Sequence, residues 1–483
     1  MKFQAALPVV TLLELCRSGV ADFQRFPPAE NTYDGTIPQD IDSRTYMSGP
    51  HNRFYIKNPS LIDSMQVISK GEKSAKLSLA SNKDEWKKII EDVTVKDESG
   101  KEFTFGNLFN NTMQTDGIVA IWNNKIIYEE YFDNQTRGTQ HYMFSGTKSY
   151  AGVTAALLAH NDPSFDIEKT VAHYVEHLKG TGVGDATVRE VMDMTAEYKF
   201  DEFGYCNQYN FWLNFVEKGA PYYLEPSCGG LQLQWIRPQE SFRKFLADTL
   251  RSKNRTKDEM PQNTYEFLTL LEPSTSDYTH GYKFNYRSTN TDILGWIMDK
   301  HLGGIGKSVK YFEENIYSKV GMNNDALIAV DDLLVPRWYQ GASITTRDAA
   351  LFGEMMLKGG INRFGERILP QEIVDDIING GNEANLDQWS KSYYTHMPFK
   401  AYRNQYWVIP NHIFTQIGVH GQRVWVDIKA NLVIAIQQSW PDQKRDEEPL
   451  QDKALLKLGE MLQGRKSKGK KKSKSKRSKS SKV

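Results

Sequence analysis

Ser145 and Lys148, in the run HYMFSGTKSYAGVTAALLA, have the types and spacing for nucleophilic chemistry. A serine followed three residues later by a lysine, at a helix start, puts hydroxyl and amine on one face a single turn apart. A serine hydroxyl is a poor nucleophile at neutral pH until a neighbouring base takes its proton. A partly desolvated lysine amine can serve as that base. The same helix N-terminus offers backbone N–H groups to an oxyanion forming at the serine.

The bare pattern S-x-x-K also occurs at Ser241/Lys244, Ser467/Lys470 and Ser473/Lys476. Ser241 lies in PQESFRKFLADTL, an amphipathic charged helix, and the other two lie in a lysine-rich tail that forms no pocket. Only Ser145 follows a strand-like hairpin and opens an apolar helix, AGVTAALLAH.

The elements that must position it are legible on both sides. DGIVAIW-NNK-IIYEEYF is two apolar runs about Asn123-Asn124, a hairpin signal. FTQIGVHGQRVWVDIKANLVIAIQQSW holds two further β-rich runs around Lys429-Ala430-Asn431, and a final helix, EPLQDKALLKLGEMLQ, follows. Residues 161–300 are mainly helical patterns, among them VREVMDM, YEFLTLLE and TDILGWIMDK. Strands near both ends with helices between them predict an antiparallel sheet flanked by helices, with a helical subdomain, in the α/β (α+β) class.

The 483 residues are 39% hydrophobic and 12% aromatic, enough for a large folded core. The net charge of zero is an average. Residues 465–483 hold eleven Lys/Arg and no acid, leaving 49 basic against 60 acidic residues elsewhere, a formal −11. Residues 464–483 read as a basic disordered tail able to adhere to polyanions. No aromatic residue interleaves its lysines, so base stacking has no support. Residues 24–100, rich in Pro, Asn, Asp, Lys and Ser, read as an irregular extension with one helix over 82–93. The main folded domain is then expected over 101–463, with 203–262 as an insertion or long loop.

Residues 1–23 carry the features of a signal peptide, but Pro8 and Glu14 interrupt the apolar run, so secreted and cytoplasmic locations both stay open. No run approaches a membrane span. Cys16, Cys206 and Cys228 make no disulfide framework and read as isolated thiols, with a Cys206–Cys228 pair left open for a secreted protein. The sequons at Asn110, Asn134 and Asn254 decide nothing.

The chain resembles the serine β-lactamase-like superfamily, which includes class C β-lactamases, D-Ala-D-Ala peptidases, related esterases and 6-aminohexanoate-dimer hydrolases. Ser145 to Lys148 matches its S-x-x-K motif. KFNYRSTNTDILGW resembles its Tyr-x-Ser/Asn motif through Tyr286 and Ser288, and QIGVHGQRVWVD its K-T-G strand, with Gln416-Ile417-Gly418 in that place. The likeness spans residues 116–463 and is strongest to the 6-aminohexanoate-dimer hydrolase branch.

It implies the β-lactamase/transpeptidase-like fold and catalysis by Ser145, Lys148 and Tyr286 without metal or organic cofactor. It also implies an oxyanion site between the N–H groups of Ser145 and Val419. Gly418, Ser288, Gln416 and His420 are then the candidate substrate contacts. Tyr205-Cys206-Asn207 and Tyr402-Arg403-Asn404 also fit Tyr-x-Asn, and the resemblance ranks Tyr286 above them. Gln416 in place of a lysine removes a positive charge, and Ser288 in place of asparagine shortens the reach. Both favour a neutral ester, linear amide or lactone over a β-lactam.

One motif competes. His173-Tyr174-Val175-Glu176-His177 spells H-x-x-E-H, an inverted zinc-peptidase signature. That site needs a long helix, and the segment here is closed off by Asp162-Pro163 and Gly180-Thr181-Gly182. Three readings therefore stand: a serine esterase or amidase acting on a small molecule, a catalytically silent relative that binds through its extensions, and a zinc peptidase.

Overall fold

The computed structural model describes residues 52–61, 63–200, 263–269, 271–331, 333–383, 385–386, 399–441 and 447–480. The expected signal peptide, the 203–262 insertion, the three cysteines, Ser241 and Tyr205 lie outside them.

Helix α1 (Asn52–Lys57) and strand β1 (Ser64–Ile68) come first, followed by helix α2 (Lys83–Glu91) and a ribbon of β2 (Thr94–Lys96) and β3 (Glu102–Thr104). Residues 52–100, expected as largely irregular, are therefore substantially structured. The reason is tertiary: β1 is too short to signal itself and forms by pairing with a distant strand.

The hairpin of β4 (Thr115–Trp122) and β5 (Lys125–Tyr131) closes with Trp122 opposite Lys125. Asn123 and Asn124 take φ of 48° and 65°, the left-handed pair that a two-residue hairpin turn requires. Strand β6 (His141–Tyr142) leads through a single 3-10 turn, Phe144–Thr147, into helix α3 (Lys148–Asn161). Next come α4 (Val188–Met192), α5 (Ser288–His301), β7 (Ala326–Val330), β8 (Ala342–Ile344), α6 (Thr346–Leu357) and α7 (Gln371–Asn379). Strands β9 (Ala401–Arg403), β10 (Tyr406–Ile409), β11 (Ile413–Gly418), β12 (Gln422–Asp427) and β13 (Leu432–Gln438) precede the last helix, α8 (Glu448–Ser480).

The main sheet is antiparallel with order β5-β4-β13-β12-β11-β10-β9. The pair β13–β4 joins the early hairpin to the late strands, as the sequence pattern predicts. A second antiparallel sheet has the order β1-β7-β8-β6.

Side chains alternate between the two faces of the main sheet. Val119, Ile121, Val424, Val426, Val433 and Ala435 pack with residues of α3 and α6. Ile118, Ala120, Trp425, Leu432, Ile434 and Ile436 pack with Leu455, Leu458 and Leu462 of α8. Helix α3 is buried on nearly every side, which explains its almost continuous apolar composition. Helix α8 continues through Ser480, where a disordered tail was expected. Lysine and serine extend a helix already nucleated by a packed first half, and no proline stops it.

Candidate active site

The turn that carries Ser145 is held from two sides. From β8, Met143 N–H donates to the Ala342 carbonyl (2.8 Å), and Ala342 N–H donates to Thr147 Oγ1 (3.0 Å). From β11, Gly418 presses on it so closely that a Cβ there would sit 2.2 Å from the Met143 carbonyl oxygen. This close approach is what demands glycine. Phe144, immediately before the serine, has φ of 46°, a backbone state costing about 1–3 kcal/mol for a side-chain-bearing residue.

One turn on, Lys148 is fully buried while Ser145 stays partly exposed. Lys148 Nζ lies 3.2 Å from Ser145 Oγ, 3.0 Å from Ser288 Oγ and 2.7 Å from the Tyr339 carbonyl oxygen. The last two oxygens accept its N–H groups. The valence left facing Ser145 is therefore an N–H when the amine is charged and a lone pair when it is neutral. Ser288, the first residue of α5, is 3% exposed. Its hydroxyl thus holds the amine, where the sequence reading placed it against substrate.

Tyr286 lies just before α5, with Lys148 Nζ 5.1 Å from its ring centroid. Its ring stacks on Trp407 (5.7 Å, 16° between planes) and meets Tyr402 edge-on (6.1 Å, 84°). Met194, Phe284, Leu386 and Ile417 complete this apolar wall. The structure thus gathers Ser145, Lys148, Tyr286 and Ser288 in one place. Tyr402, the other described Tyr-x-Asn tyrosine, belongs to the supporting wall, and its neighbour Arg403 is tied to Asp193 and Asp376.

Asp292 was not anticipated. It sits one helical turn beyond Ser288 and is fully buried. Burial pushes its carboxyl well above the usual carboxylate range, while the Lys148 charge and the Tyr339 backbone N–H pull it down. The only sequence signal was its i, i+4 spacing from Ser288.

Two expected substrate contacts are buried against the serine turn. Gln416 is buried, and its side-chain amide donates to the Tyr406 hydroxyl (3.2 Å). Strand alternation turns Ile417, not Gln416, toward the Tyr286 wall. His420 is also fully buried, and its Nδ1–H donates to the Trp440 carbonyl (2.7 Å). Its ring lies 5.0 Å from that of Phe144, so it forms the back of the site. Val419, between Gly418 and His420, is partly exposed and packs beside Phe144.

The H-x-x-E-H segment does not form one helix. His173 lies in a short helix, Val171–Tyr174, and Val175 (φ −122°, ψ 84°) separates it from a single turn bearing Glu176 and His177. Among the described residues no group of three His, Cys, Asp or Glu side chains is placed to hold a metal ion.

The family model for Beta-lactamase matches residues 106–457. The 6-aminohexanoate-dimer hydrolase of Paenarthrobacter ureafaciens is 28% identical over 331 residues, 68% of this chain and 73% of its own. Among solved structures, a Bacillus anthracis protein assigned by name to the 6-aminohexanoate-dimer hydrolases superposes with a TM-score of 0.67 at 22% identity. That match covers 88% of this chain and 98% of the other. A family VIII carboxylesterase superposes with a TM-score of 0.51 at 14% identity, covering 80% and 99%. These structural matches show the shared β-lactamase/transpeptidase-like fold.

Proposed function

The chain belongs to the Beta-lactamase family, and on that premise we propose that it is a serine hydrolase working through a covalent acyl-enzyme. Ser145 Oγ attacks a carbonyl carbon while Lys148 takes the hydroxyl proton. Tyr286 passes a proton to the leaving group, and water activated by the same Lys148/Tyr286 pair releases the acyl group. The N–H groups of Ser145 and Val419 hold the oxyanion, which Gly418 permits by letting β11 approach the serine turn.

The single observation that carries this reading is the buried Lys148 amine 3.2 Å from a partly exposed Ser145 hydroxyl. Ser288 and the Tyr339 carbonyl keep the amine there, and Asp292 supplies a buried carboxyl alongside.

The substrate class we propose is a neutral ester or a linear amide. No lysine stands at position 416, and the Gln416 amide is engaged by the Tyr406 hydroxyl, so a substrate carboxylate gains no cation from that strand. The relative named as a 6-aminohexanoate-dimer hydrolase supports the linear-amide side of this pair. We further propose that the lysine-rich end of α8 contacts polyanions, since its charge excess survives as a continuous helix.

A fluorophosphonate probe tests the reaction. Labelling that disappears in Ser145→Ala and ignores chelator is the expected result. An unlabelled wild-type protein would point to a silent binding relative, and chelator-sensitive hydrolysis to the zinc reading. A panel of nitrophenyl esters, lactones, linear amides and β-lactams, each run against Ser145→Ala, ranks the substrates.

A further inference from the structure

The family match begins at residue 106, yet residues 52–68 touch both backbone turns assigned to the oxyanion. Helix α1 has two working faces. Asn52 and Ile56, four residues apart, share one of them. Asn52 Nδ2 donates to the Trp440 carbonyl, the same oxygen that accepts from His420 Nδ1. A carbonyl has two lone pairs, so both bonds are satisfied together. Ile56 packs with Tyr142, Phe144 and Ala329, and Met65 of β1 and Val419 join that cluster.

Arg53 and Lys57 form the other face and anchor the helix. Arg53 Nε donates to Asp116 (2.7 Å) and its NH2 group to the Thr115 carbonyl (3.0 Å), while Lys57 Nζ donates to Asp133 (2.6 Å).

The two turns so contacted are both strained. Phe144, before Ser145, has φ of 46°, and His420, after Val419, has φ of 61°. Neither residue adopts left-handed backbone freely, so the conformation persists only where surroundings enforce it. Their rings meet at 5.0 Å, which links the turns to each other as well as to α1.

We infer that Asn52 and Ile56 are positioning residues of the reaction centre, holding the Phe144–Ser145 and Val419–His420 turns so that their two N–H groups converge on one oxygen. This rests on the serine-hydrolase reading above. A buttress on the oxyanion donors acts where charge develops, so its loss lowers the chemical rate and leaves ground-state binding alone.

The test uses the full-length chain with p-nitrophenyl butyrate, fluorophosphonate inactivation and a boronic acid that places an oxygen in the oxyanion site. Asn52→Ala should lower kcat, inactivation rate and boronate affinity about tenfold with KM unchanged. Asn52→Ser, which keeps a donor, should recover most of the loss. Ile56→Val, mild enough to fold, should lower the same three quantities by roughly threefold. Lys57→Met, which loosens the anchor of the same helix, should reduce Tm and lower kcat by less than Asn52→Ala does.

If Asn52→Ala and Ile56→Val lower Tm but react at the wild-type rate, the positioning role is wrong and the serine mechanism stands. If the wild-type protein shows no Ser145-dependent labelling, both are wrong.

Discussion

Ser145 and Ser439 both lie beside buried ionisable partners, and the second site has the richer composition. Around Ser439 stand Asp116, His141, Arg53 and Lys57, which on residue types alone suggest a hydrolytic triad. Its hydrogen bonds say otherwise. Ser439 Oγ–H and His141 Nε2–H both end on Asp116, and His141 Nδ1 faces the Tyr142 carbonyl, so no imidazole nitrogen is aimed at the serine. Ser439, His141 and Asp116 are all fully buried. At Ser145 the polarity is reversed: a basic nitrogen faces a partly exposed hydroxyl. Reactivity follows from which atom faces the serine and from access, while a carboxylate at the centre of converging donors makes a structural knot.

The sharpest way to break this contrast is to remove each centre in turn. Ser145→Ala should reduce hydrolysis by about 10⁴-fold or more, with Tm unchanged. Retained turnover, measured with the preferred nitrophenyl ester, would move the chemistry elsewhere. Asp116→Ala should do the opposite. It strands Arg53, Lys57 and His141 and should destabilise the fold by about 3–5 kcal/mol in denaturant titration, with kcat per folded molecule falling no more than about tenfold as the anchor of α1 loosens. A dead but stable Asp116→Ala protein would make the knot catalytic.

A smaller effect probes the junction between the regions. Gly418→Ala forces a methyl onto the Met143 carbonyl and should displace the serine turn, lowering kcat by about 10²-fold while far-ultraviolet dichroism stays unchanged. An unaffected rate would show that β11 does not set the geometry at Ser145.

The smallest effect is in acid. Burial alone would raise the Asp116 carboxyl, but His141, Lys57 and Arg53 together hold it below its usual range. A depressed folded value stabilises the protein above the unfolded value of about 3.9, and that stability drains away as pH falls further. Wild type should therefore lose stability more steeply than Asp116→Asn below about pH 4. Superimposable acid limbs would contradict it.

Much of this was visible in the chain itself. The turn asparagines Asn123 and Asn124 announced a hairpin because few other residues tolerate left-handed φ there. The helix over 82–93 appears as Lys83–Glu91. Ser145 stood out because an apolar helix follows it, and that helix is indeed buried on nearly all sides. Tyr286 was reachable only through family likeness, since a tyrosine in an aromatic run carries no local mark of its task.

Other features were hidden. Gln416 and Ile417 are adjacent, and which one faces the site depends on strand phase, fixed by pairing with β12 and β10. The place of β1 depends on a partner strand more than 250 residues away.

The order of residues along the chain determined that a hydroxyl and an amine would share one helical turn, because 3.6-residue periodicity is a local property of backbone geometry. It also determined the hairpins, whose turns are local. Only the tertiary structure set Ser145 apart from the other serines as the proposed nucleophile. Burial of Lys148, the acceptors that orient its amine and the strained turns on either side of the site all come from segments far apart in sequence. Desolvation and hydrogen-bond direction exist only once those segments are packed together.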